Sequence, residues 1–405
     1  MHFFLFRKAI RKLPGDVIRE VPLPEPELTE GFGSREQTGR ICGEIGAKSV
    51  LVVTDRNIHG LGFHEKILRS LRDSGIPFTV FCDIDSEPTV DVIRAGRKTA
   101  LDCGADCVVA LGGGSVMDSS KVIAASARNP RHSLRWYLQK FNYVRGKTLP
   151  IISIPTTAGT GAEYTVGAVV RNARGVKQST VIIGLNVQHV ILDSELMVNA
   201  PVHVTVWCGI DALSHGLEGL LADVRSDGED VRKSRECVRM ILENLPRVLE
   251  DPKDIEARQK MSLAAYYGGN AINRQLAGYV HAFAHSIGAM YHHIPHGKAI
   301  AWCLVPVVEA QKDRCRNQLW NLAVWCGAAL QEDTPDEAAD KMIAALQALL
   351  ERCGLEKECV ELQEKDYPKL VRMIDADSIN YSPSKTFSDQ EIMRLLDRIR
   401  KGEEA

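Results

Sequence analysis

The sequence predicts an amino-terminal α/β domain built on a parallel sheet, followed by an all-α carboxy-terminal domain. In the first half of the chain, short β-branched runs alternate with helical stretches, a pattern typical of βαβ units. After Pro201 the β-branched runs become rare, and long amphipathic patterns replace them. Because 405 residues exceed one average domain, we predict two domains, 1–198 and 199–405.

The strands of the first domain are predicted from short apolar runs, rich in β-branched residues, that turn or charged residues bound. These runs are 49–54, 77–82, 106–111, 148–154 and 188–192. Helical spacing of apolar residues predicts helices between the first three runs, over 62–74 and 89–105. In the second domain, amphipathic helices are predicted over 231–249, 255–268 and 335–352.

The composition argues against several classes of function. A formal charge of −2 and a pI near 6.6 provide no basic surface for nucleic acid or for an anionic membrane, so a small-molecule partner is favoured. The eleven cysteines are odd in number and lie mostly in apolar segments, which predicts reduced thiols and a cytoplasmic protein. Residues 1–13 lack the features of a secretory signal, and no apolar run is long enough to span a membrane.

Two glycine-containing turns follow predicted strands in the first domain. The predicted strand that ends at Leu111 runs directly into Gly112-Gly-Gly-Ser115, where a helix rich in small residues begins. Backbone N–H groups at such a junction, together with the positive end of the helix, favour an anion such as the pyrophosphate of a dinucleotide. The turn is neither Gly-x-Gly-x-x-Gly nor a P-loop, so a purely structural glycine turn stays open. The second turn, 154–163, adds three threonine hydroxyls, although such a loop also commonly ends in a helix cap.

In the second domain, four residues have the chemistry and spacing to surround one divalent metal: Asp211, His215, His281 and His296. Asp211 and His215 are four positions apart, so on a helix they share one face, about 6 Å apart at Cβ. His281 and His285 repeat this spacing, and five of the twelve histidines lie within 281–296. Imidazole and carboxylate are ligands for Zn, Fe or Mn, and no Cys-x-x-Cys offers a thiolate alternative. A single histidine is more commonly a hydrogen-bonded residue, so the metal is inferred from the set.

Four motifs together resemble the iron-containing (group III) alcohol dehydrogenase family. They are Gly112-Gly-Gly-Ser-x-x-Asp-x-x-Lys121, Pro155-Thr-Thr-Ala-Gly-Thr-Gly161, Asp211-Ala-Leu-x-His215 and the His281…Pro-His296-Gly run. Their order and spacing agree with the family over roughly residues 50–307. The resemblance implies a dehydroquinate synthase-like fold, with an amino-terminal dinucleotide-binding domain and a helical metal-binding domain.

The resemblance also implies roles for individual residues. The metal ligands would be Asp211, His215, His281 and His296. The dinucleotide would be lined by Asp55, Gly113, Gly114, Ser115, Asp118, Thr156, Thr157 and Thr160. Asp55 falls where the family places its ribose-reading carboxylate, which favours NAD over NADP. The implied metal is Fe²⁺, with Zn²⁺ as the alternative because zinc binds such ligands more tightly.

Two departures from the family pattern concern the metal ligands and the substrate pocket. Family members usually separate the last two metal histidines by fourteen residues, whereas His281 and His296 are fifteen apart. We place the extra residue in the intervening loop and keep His296 as the ligand, with His292 and His293 as fallback candidates. The second departure is Trp207-Cys208-Gly209, where small residues and Thr are commoner; it alters either the packing or the substrate pocket.

The predicted reaction is the NAD(P)-linked oxidation of an alcohol to an aldehyde or ketone, and its reversal. A divalent metal favours the alkoxide form of the alcohol and polarises the carbonyl in the reverse direction. His285, one turn from His281, is either a proton relay to solvent or a hydrogen-bonding partner within the site. The alternatives are a glycerol-dehydrogenase-like or dehydroquinate-synthase-like metalloenzyme, and a non-catalytic assembly module. The expected partners are a small alcohol or aldehyde and further copies of the chain in a homodimer or larger homo-oligomer, without nucleic acid or membrane.

Overall fold

The computed structural model describes residue 23 and residues 25–84, 88–139, 141–144, 148–171, 177–223, 228–381 and 383–402. These residues form two compact units, and the division along the chain falls between Ala200 and Pro201. The domain boundary predicted between 198 and 199 is close to this division. The predicted absence of a secretory signal in 1–13 concerns residues outside the described part of the chain.

The amino-terminal unit contains two sheets. Its strands, within the described residues, are β1 (Glu27–Glu30), β2 (Val50–Asp55), β3 (Phe78–Ile84), β4 (Cys107–Gly112), β5 (Phe141–Tyr143), β6 (Ile151–Pro155), β7 (Gly167–Arg171), β8 (Lys177–Ile183) and β9 (Val187–Leu192). Six of them form one parallel sheet in the order β1-β9-β6-β4-β2-β3. The five predicted strands correspond to β2, β3, β4, β6 and β9.

Helices connect these strands and cover the sheet. Those described in this unit are α1 (Thr38–Glu44), α2 (Arg56–Gly60), α3 (Glu65–Asp73), α4 (Val90–Asp102), α5 (Gly114–Arg128) and α6 (Leu134–Tyr137). Strands β4 and β6 are buried over their whole length, as expected of parallel strands with both faces covered. Helix α3 buries Ile67, Leu68 and Leu71 in the same apolar cluster as Val52 and Val109 of the sheet. Its helical spacing therefore produces the buried face that the sequence predicted.

Strand β1 and the second sheet, which has the order β5-β8-β7, were not predicted from the sequence. In this sheet β7 pairs antiparallel with β8, and β5 pairs parallel with β8. Strand β7 alternates buried and less buried residues, so it lacks the continuous apolar run that marks a strand covered on both faces. Strand β1 is four residues long, largely exposed and at the edge of the main sheet. The formation of β1 and of β7 therefore depends on pairing with neighbouring strands more than on a pattern in their own residues.

The carboxy-terminal unit is helical. Its helices, within the described residues, are α7 (Val202–Leu221), α8 (Gly228–Glu250), α9 (Ile255–Gln275), α10 (Tyr279–Met290), α11 (His296–Trp325), α12 (Pro335–Arg352), α13 (Tyr367–Ser378) and α14 (Asp389–Lys401). The three amphipathic helices predicted in this half lie within α8, α9 and α12. The predicted fold class is confirmed. Across the described parts of both units, no helix combines the length and apolar character needed to cross a membrane.

Candidate active site

Helix α7 carries two of the predicted metal ligands on a buried face. The side chains of Asp211 and His215 are only 6% and 7% exposed. One helical turn separates them, and His215 Nε2 lies 3.6 Å from Asp211 Oδ1. Every residue from 209 to 219 is buried, so water cannot readily solvate these polar groups. They require partners from other elements.

Two further histidines reach the same carboxylate oxygen from other helices. His281 lies in the first turn of α10, and His296 is the first residue of α11. Their Nε2 atoms lie 3.5 and 3.3 Å from Asp211 Oδ1. Ligand atoms about 2.1 Å from a tetrahedral metal are about 3.4 Å from one another. The observed separations are therefore those of ligands around one ion.

Buried atoms of this cluster lack hydrogen-bond partners. Asp211 Oδ1 and His281 Nε2 are both buried without a partner among the described residues. Such atoms cost free energy unless something satisfies them, and a shared divalent cation would do so. Asp211, His215 and His281 form a set whose ligand atoms all lie within 4.8 Å of one another. His296 lies outside this set but contacts Asp211, so the residues present fit a divalent metal.

Glu218, which was not predicted from the sequence, hydrogen-bonds with one of the histidines. Its side chain is 3% exposed, and its Oε1 accepts the backbone N–H of Val280 at 2.7 Å. Its Oε2 lies 2.5 Å from His281 Nδ1. A carboxylate at Nδ1 fixes the tautomer in which Nε2 is free to bind a metal. Spacing could have revealed this residue, because Glu218 is seven positions after Asp211, on the same face of an otherwise apolar helix.

A close approach between α11 and α7 places His296 in the cluster. A Cβ added at Gly297 would lie 2.3 Å from the backbone carbonyl oxygen of Trp207. This contact requires glycine at position 297. The fallback candidates His292 and His293 are exposed in the turn that precedes α11.

The cluster strongly perturbs the titration of its members. Burial favours the neutral carboxyl of Asp211, but the imidazoles of His215 and His296 outweigh it and hold its pKa well below the usual range. Burial lowers the pKa of His215 to about 3 and also lowers that of His296. Burial opposes protonation of His281 as well, yet the carboxylates of Glu218 and Asp211 raise its pKa to about 10. Without metal, the proton of the cluster therefore resides on His281.

His285 connects the cluster to more exposed acid–base groups. Its ring stacks on that of His296, with 5.1 Å between centroids, and its side chain is 43% exposed. Its Nδ1 lies 3.0 Å from Asp377 Oδ2 and 3.2 Å from the Tyr381 hydroxyl. Asp377 and Tyr381 were not predicted as site residues, because they are distant from His285 in sequence. The arrangement is compatible with both roles predicted for His285.

In the amino-terminal unit, the two glycine turns face each other. Gly113 immediately precedes α5, and Gly114 is its first residue. A Cβ added at Gly114 would lie 3.2 Å from the Thr160 side chain, and one at Gly113 would lie 3.6 Å from the Thr157 hydroxyl. The absent side chains let an anion approach the amino-terminal end of α5, where the threonine hydroxyls can also contact it.

Three other predicted cofactor residues lie at the ends of the central strands. Ser115 is in the first turn of α5. Thr156 joins the two turns, because its N–H donates to the carbonyl of Gly112 at 3.1 Å. Asp55 ends β2 and caps α2, where its Oδ1 accepts the N–H of Ile58 at 2.9 Å. The carboxyl ends of neighbouring parallel strands are where dinucleotides bind in open α/β sheets.

Asp118 differs from Asp55, because the protein contacts both oxygens of its carboxylate. Oδ2 accepts the N–H of Val169 in β7 at 2.9 Å, and Oδ1 lies 3.4 Å from Lys121 Nζ. Burial raises the pKa of Asp118, although Lys121 opposes the shift. Contacts within the protein therefore hold the Asp118 side chain, and a residue that only lined the cofactor would not need them.

Sequence profiles of known families match both units. The profile of the iron-containing alcohol dehydrogenases matches residues 26–194, and that of the Fe-containing alcohol dehydrogenase family, C-terminal, matches residues 205–400. The chain is 29% identical to the NAD-dependent methanol dehydrogenase of Bacillus methanolicus, over 92% of this chain and 97% of that protein. It is 33% identical to the probable alcohol dehydrogenase EutG of Escherichia coli (strain K12), over 81% of this chain and 80% of that protein.

Solved structures show the same fold. The crystal structure of a 1,3-propanediol oxidoreductase superposes with a TM-score of 0.87 at 27% identity, covering 94% of this chain and 100% of that one. The sulfoacetaldehyde reductase of Bifidobacterium kashiwanohense, solved in complex with NAD+, superposes with a TM-score of 0.85 at 26% identity, covering 94% of this chain and 98% of that one.

The fold and the buried residues around Asp211 together fit a metal-dependent oxidoreductase. The chain belongs to the iron-containing alcohol dehydrogenase family. The predicted family and the predicted activity, a metal-dependent alcohol dehydrogenase, are confirmed, as are iron and NAD as its cofactors. Its substrates are alcohols and aldehydes. The roles of the individual site residues stay predictions.

Proposed function

We propose that this alcohol dehydrogenase holds Fe²⁺ through Asp211, His215, His281 and His296 and interconverts a small primary alcohol and its aldehyde. The observation that carries the proposal is one carboxylate oxygen of Asp211 with three imidazole Nε2 atoms 3.3 to 3.6 Å away. The names of relatives support the substrate class, since they act on methanol, 1,3-propanediol or sulfoacetaldehyde. Each of these contains or yields a primary alcohol.

The surrounding residues prepare the site for this chemistry. A bound divalent ion would act as a Lewis acid toward the alcohol or carbonyl oxygen. Glu218 holds the Nδ1 of His281, so that Nε2 points to the ion. His285 accepts the alcohol proton and passes it to solvent, while Asp377 fixes the orientation of its ring.

For the dinucleotide, we propose that the N–H groups at Gly113, Gly114 and Ser115 bind the pyrophosphate. The hydroxyls of Thr156, Thr157 and Thr160 add hydrogen bonds from the facing turn. The Asp55 carboxylate contacts the adenosine ribose and disfavours a 2′-phosphate, so NAD is preferred over NADP. Asp118 belongs to the predicted set through its position on α5.

Replacing Asp55 with Asn tests the cofactor preference. Asn still accepts the N–H of Ile58 and keeps the helix cap, whereas glycine would lose this bond at a cost of about a few tenths of a kcal/mol. The ratio of kcat/KM for NADP+ to that for NAD+ should therefore rise in Asp55→Asn and in Asp55→Gly alike. Equal efficiency with both cofactors in the parent, or an unchanged ratio in both variants, would contradict the role of Asp55.

We also propose that the chain works as a homodimer or larger homo-oligomer in the cytoplasm. The near-neutral formal charge and the eleven cysteines, none of which forms a disulfide among the described residues, support this setting. Light scattering coupled to size exclusion measures the oligomer directly. A monomer at micromolar concentration would refute the oligomeric part.

Metal analysis after anaerobic purification, followed by a panel of alcohols with NAD+ and NADP+, tests the function as a whole. We expect close to one iron per chain and turnover of short primary alcohols with NAD+. His215→Ala should lose metal and turnover while it still binds NAD+, because the glycine turns belong to the other unit. His132→Ala, which changes an exposed histidine of the amino-terminal unit, should match the parent. Full turnover by the metal-free parent would contradict the proposal.

A further inference from the structure

A buried group of ionisable side chains connects α5 to the segment that follows the second glycine turn. The Lys121 side chain is 2% exposed. Its Nζ donates to the carbonyl of Gly167 at 2.6 Å and to the hydroxyl of Thr165 at 3.0 Å. Its third contact is Asp118 Oδ1 at 3.4 Å. An ammonium with three donors is buried in this way only where the protein supplies the acceptors.

Asp118 adds a contact with one further residue, in strand β7. Its second oxygen accepts the N–H of Val169 at 2.9 Å. Lys121 and Asp118 thus contact Thr165, two residues before β7, and Gly167 and Val169 within β7. Lys121 also lowers the pKa of Glu163, which burial raises to about 7. Removing the Lys121 ammonium would leave buried carboxylates without their cation, which is a costly change.

The second glycine turn lies between β6 and the residues that Lys121 and Asp118 contact. At its amino-terminal end, Pro155 of β6 pairs with Gly112 of β4, and the next N–H donates to the Gly112 carbonyl. At its carboxy-terminal end, Thr165 is bound by Lys121. Both ends of 156–164 are therefore fixed to the strand and helix that form the first glycine turn. A turn held at both ends loses less entropy when a ligand binds.

We infer that Lys121 and Asp118 are positioning residues for the dinucleotide: they hold the threonine turn opposite Gly113 and Gly114 and do not touch the ligand. The inference rests on the proposed function, in which both turns bind NAD. It means that Asp118 and Lys121, the Asp-x-x-Lys part of the first motif, hold the second glycine turn in place. It also explains why the carboxylate of Asp118 is engaged with Val169.

The test is the dissociation constant for NAD+ of the full-length enzyme, measured by calorimetry, together with metal content and KM. Lys121→Met removes the ammonium at similar length, and we expect NAD+ binding to weaken about tenfold or more. Thr165→Val removes one acceptor at constant shape, and we expect it to weaken about threefold to tenfold. The matched control Lys98→Met changes an exposed lysine on α4 and should bind NAD+ as the parent does.

The kinetic signature separates positioning from other roles. We expect KM for NAD+ to rise while kcat at saturating NAD+, KM for the alcohol and metal content stay near parental values. Unchanged NAD+ affinity in Thr165→Val would overturn the inference, since a lysine that contacts the phosphates directly does not need that hydroxyl. Thr165→Val also decides the matter if Lys121→Met fails to fold. A parent that binds metal but no NAD+ would instead refute the proposed function.

Discussion

Replacing Glu218 with Gln is expected to weaken metal binding while leaving the helical unit folded. The carboxylate accepts two hydrogen bonds, from the Val280 N–H at 2.7 Å and at His281 Nδ1, 2.5 Å away. A glutamine offers one acceptor oxygen and one amide nitrogen, so it cannot accept both. If the nitrogen faces His281, it donates to Nδ1 and drives the ring proton to Nε2, the atom that should bind the metal.

The size of the effect follows from these contacts. The lost bond involves a charged acceptor that is 3% exposed, and such bonds contribute about 1.5 to 3 kcal/mol. This corresponds to a decrease in metal affinity of roughly 10- to 100-fold, the range found when a partner of a metal-binding histidine is removed. Glu218→Ala should lose more, because both contacts disappear.

The assay is competition between the protein and a chelator of known affinity, with folding followed by circular dichroism. Glu309→Gln is the matched control, because Glu309 is a partly buried carboxylate of the same unit that pairs with Arg398. Its metal affinity should equal that of the parent. Parental metal affinity in Glu218→Gln would refute the reasoning that this carboxylate sets the tautomer of His281.

Three further predictions concern the same cluster. In Gly297→Ala the new Cβ would lie 2.3 Å from the backbone of α7, so metal affinity should fall about tenfold or more. The control Gly288→Ala, with nothing within 4 Å of its Cβ, should retain its metal, and equal metal contents in the two variants would contradict the prediction. His296→Ala should cost about 100-fold or more in metal affinity, and His293→Ala should mainly change apparent substrate affinity; the reverse result would exchange their roles. Because the pKa of metal-free His281 is about 10, metal must displace its proton at pH 7, so the apparent affinity for metal should rise about tenfold per pH unit from pH 6 to 8. Calorimetry in two buffers should detect about one proton released per metal bound, and the release of no proton would refute the prediction.

The main sheet could be predicted because its buried strands carry their own signal. Strands β4 and β6 are covered on both faces, so each appears in the sequence as an apolar run. Strand β7 carries no such run, and part of what holds it is the contact between Asp118 and Val169, 51 positions apart. A pattern read along the chain does not contain such a contact.

The same distinction applies to the metal cluster. The shared helix face of Asp211 and His215 is a local property of the α-helix, so their spacing predicted it. The convergence of His281 and His296 on one oxygen depends on how α10 and α11 pack against α7. The close contact at Gly297 that permits this packing cannot be inferred from spacing. Glu218 was predictable from its helix face, whereas the contact of Asp377 with His285 spans 92 positions.

X-ray absorption at the iron edge, on protein purified without oxygen, tests the central claim most directly. The account predicts one iron per chain with only nitrogen and oxygen neighbours at about 2.0 to 2.2 Å. Multiple-scattering features of about three imidazoles should be present, and the signal should be lost in His215→Ala. Sulfur neighbours at about 2.3 Å would contradict the account, since they would place the metal on the cysteines instead of the cluster at Asp211.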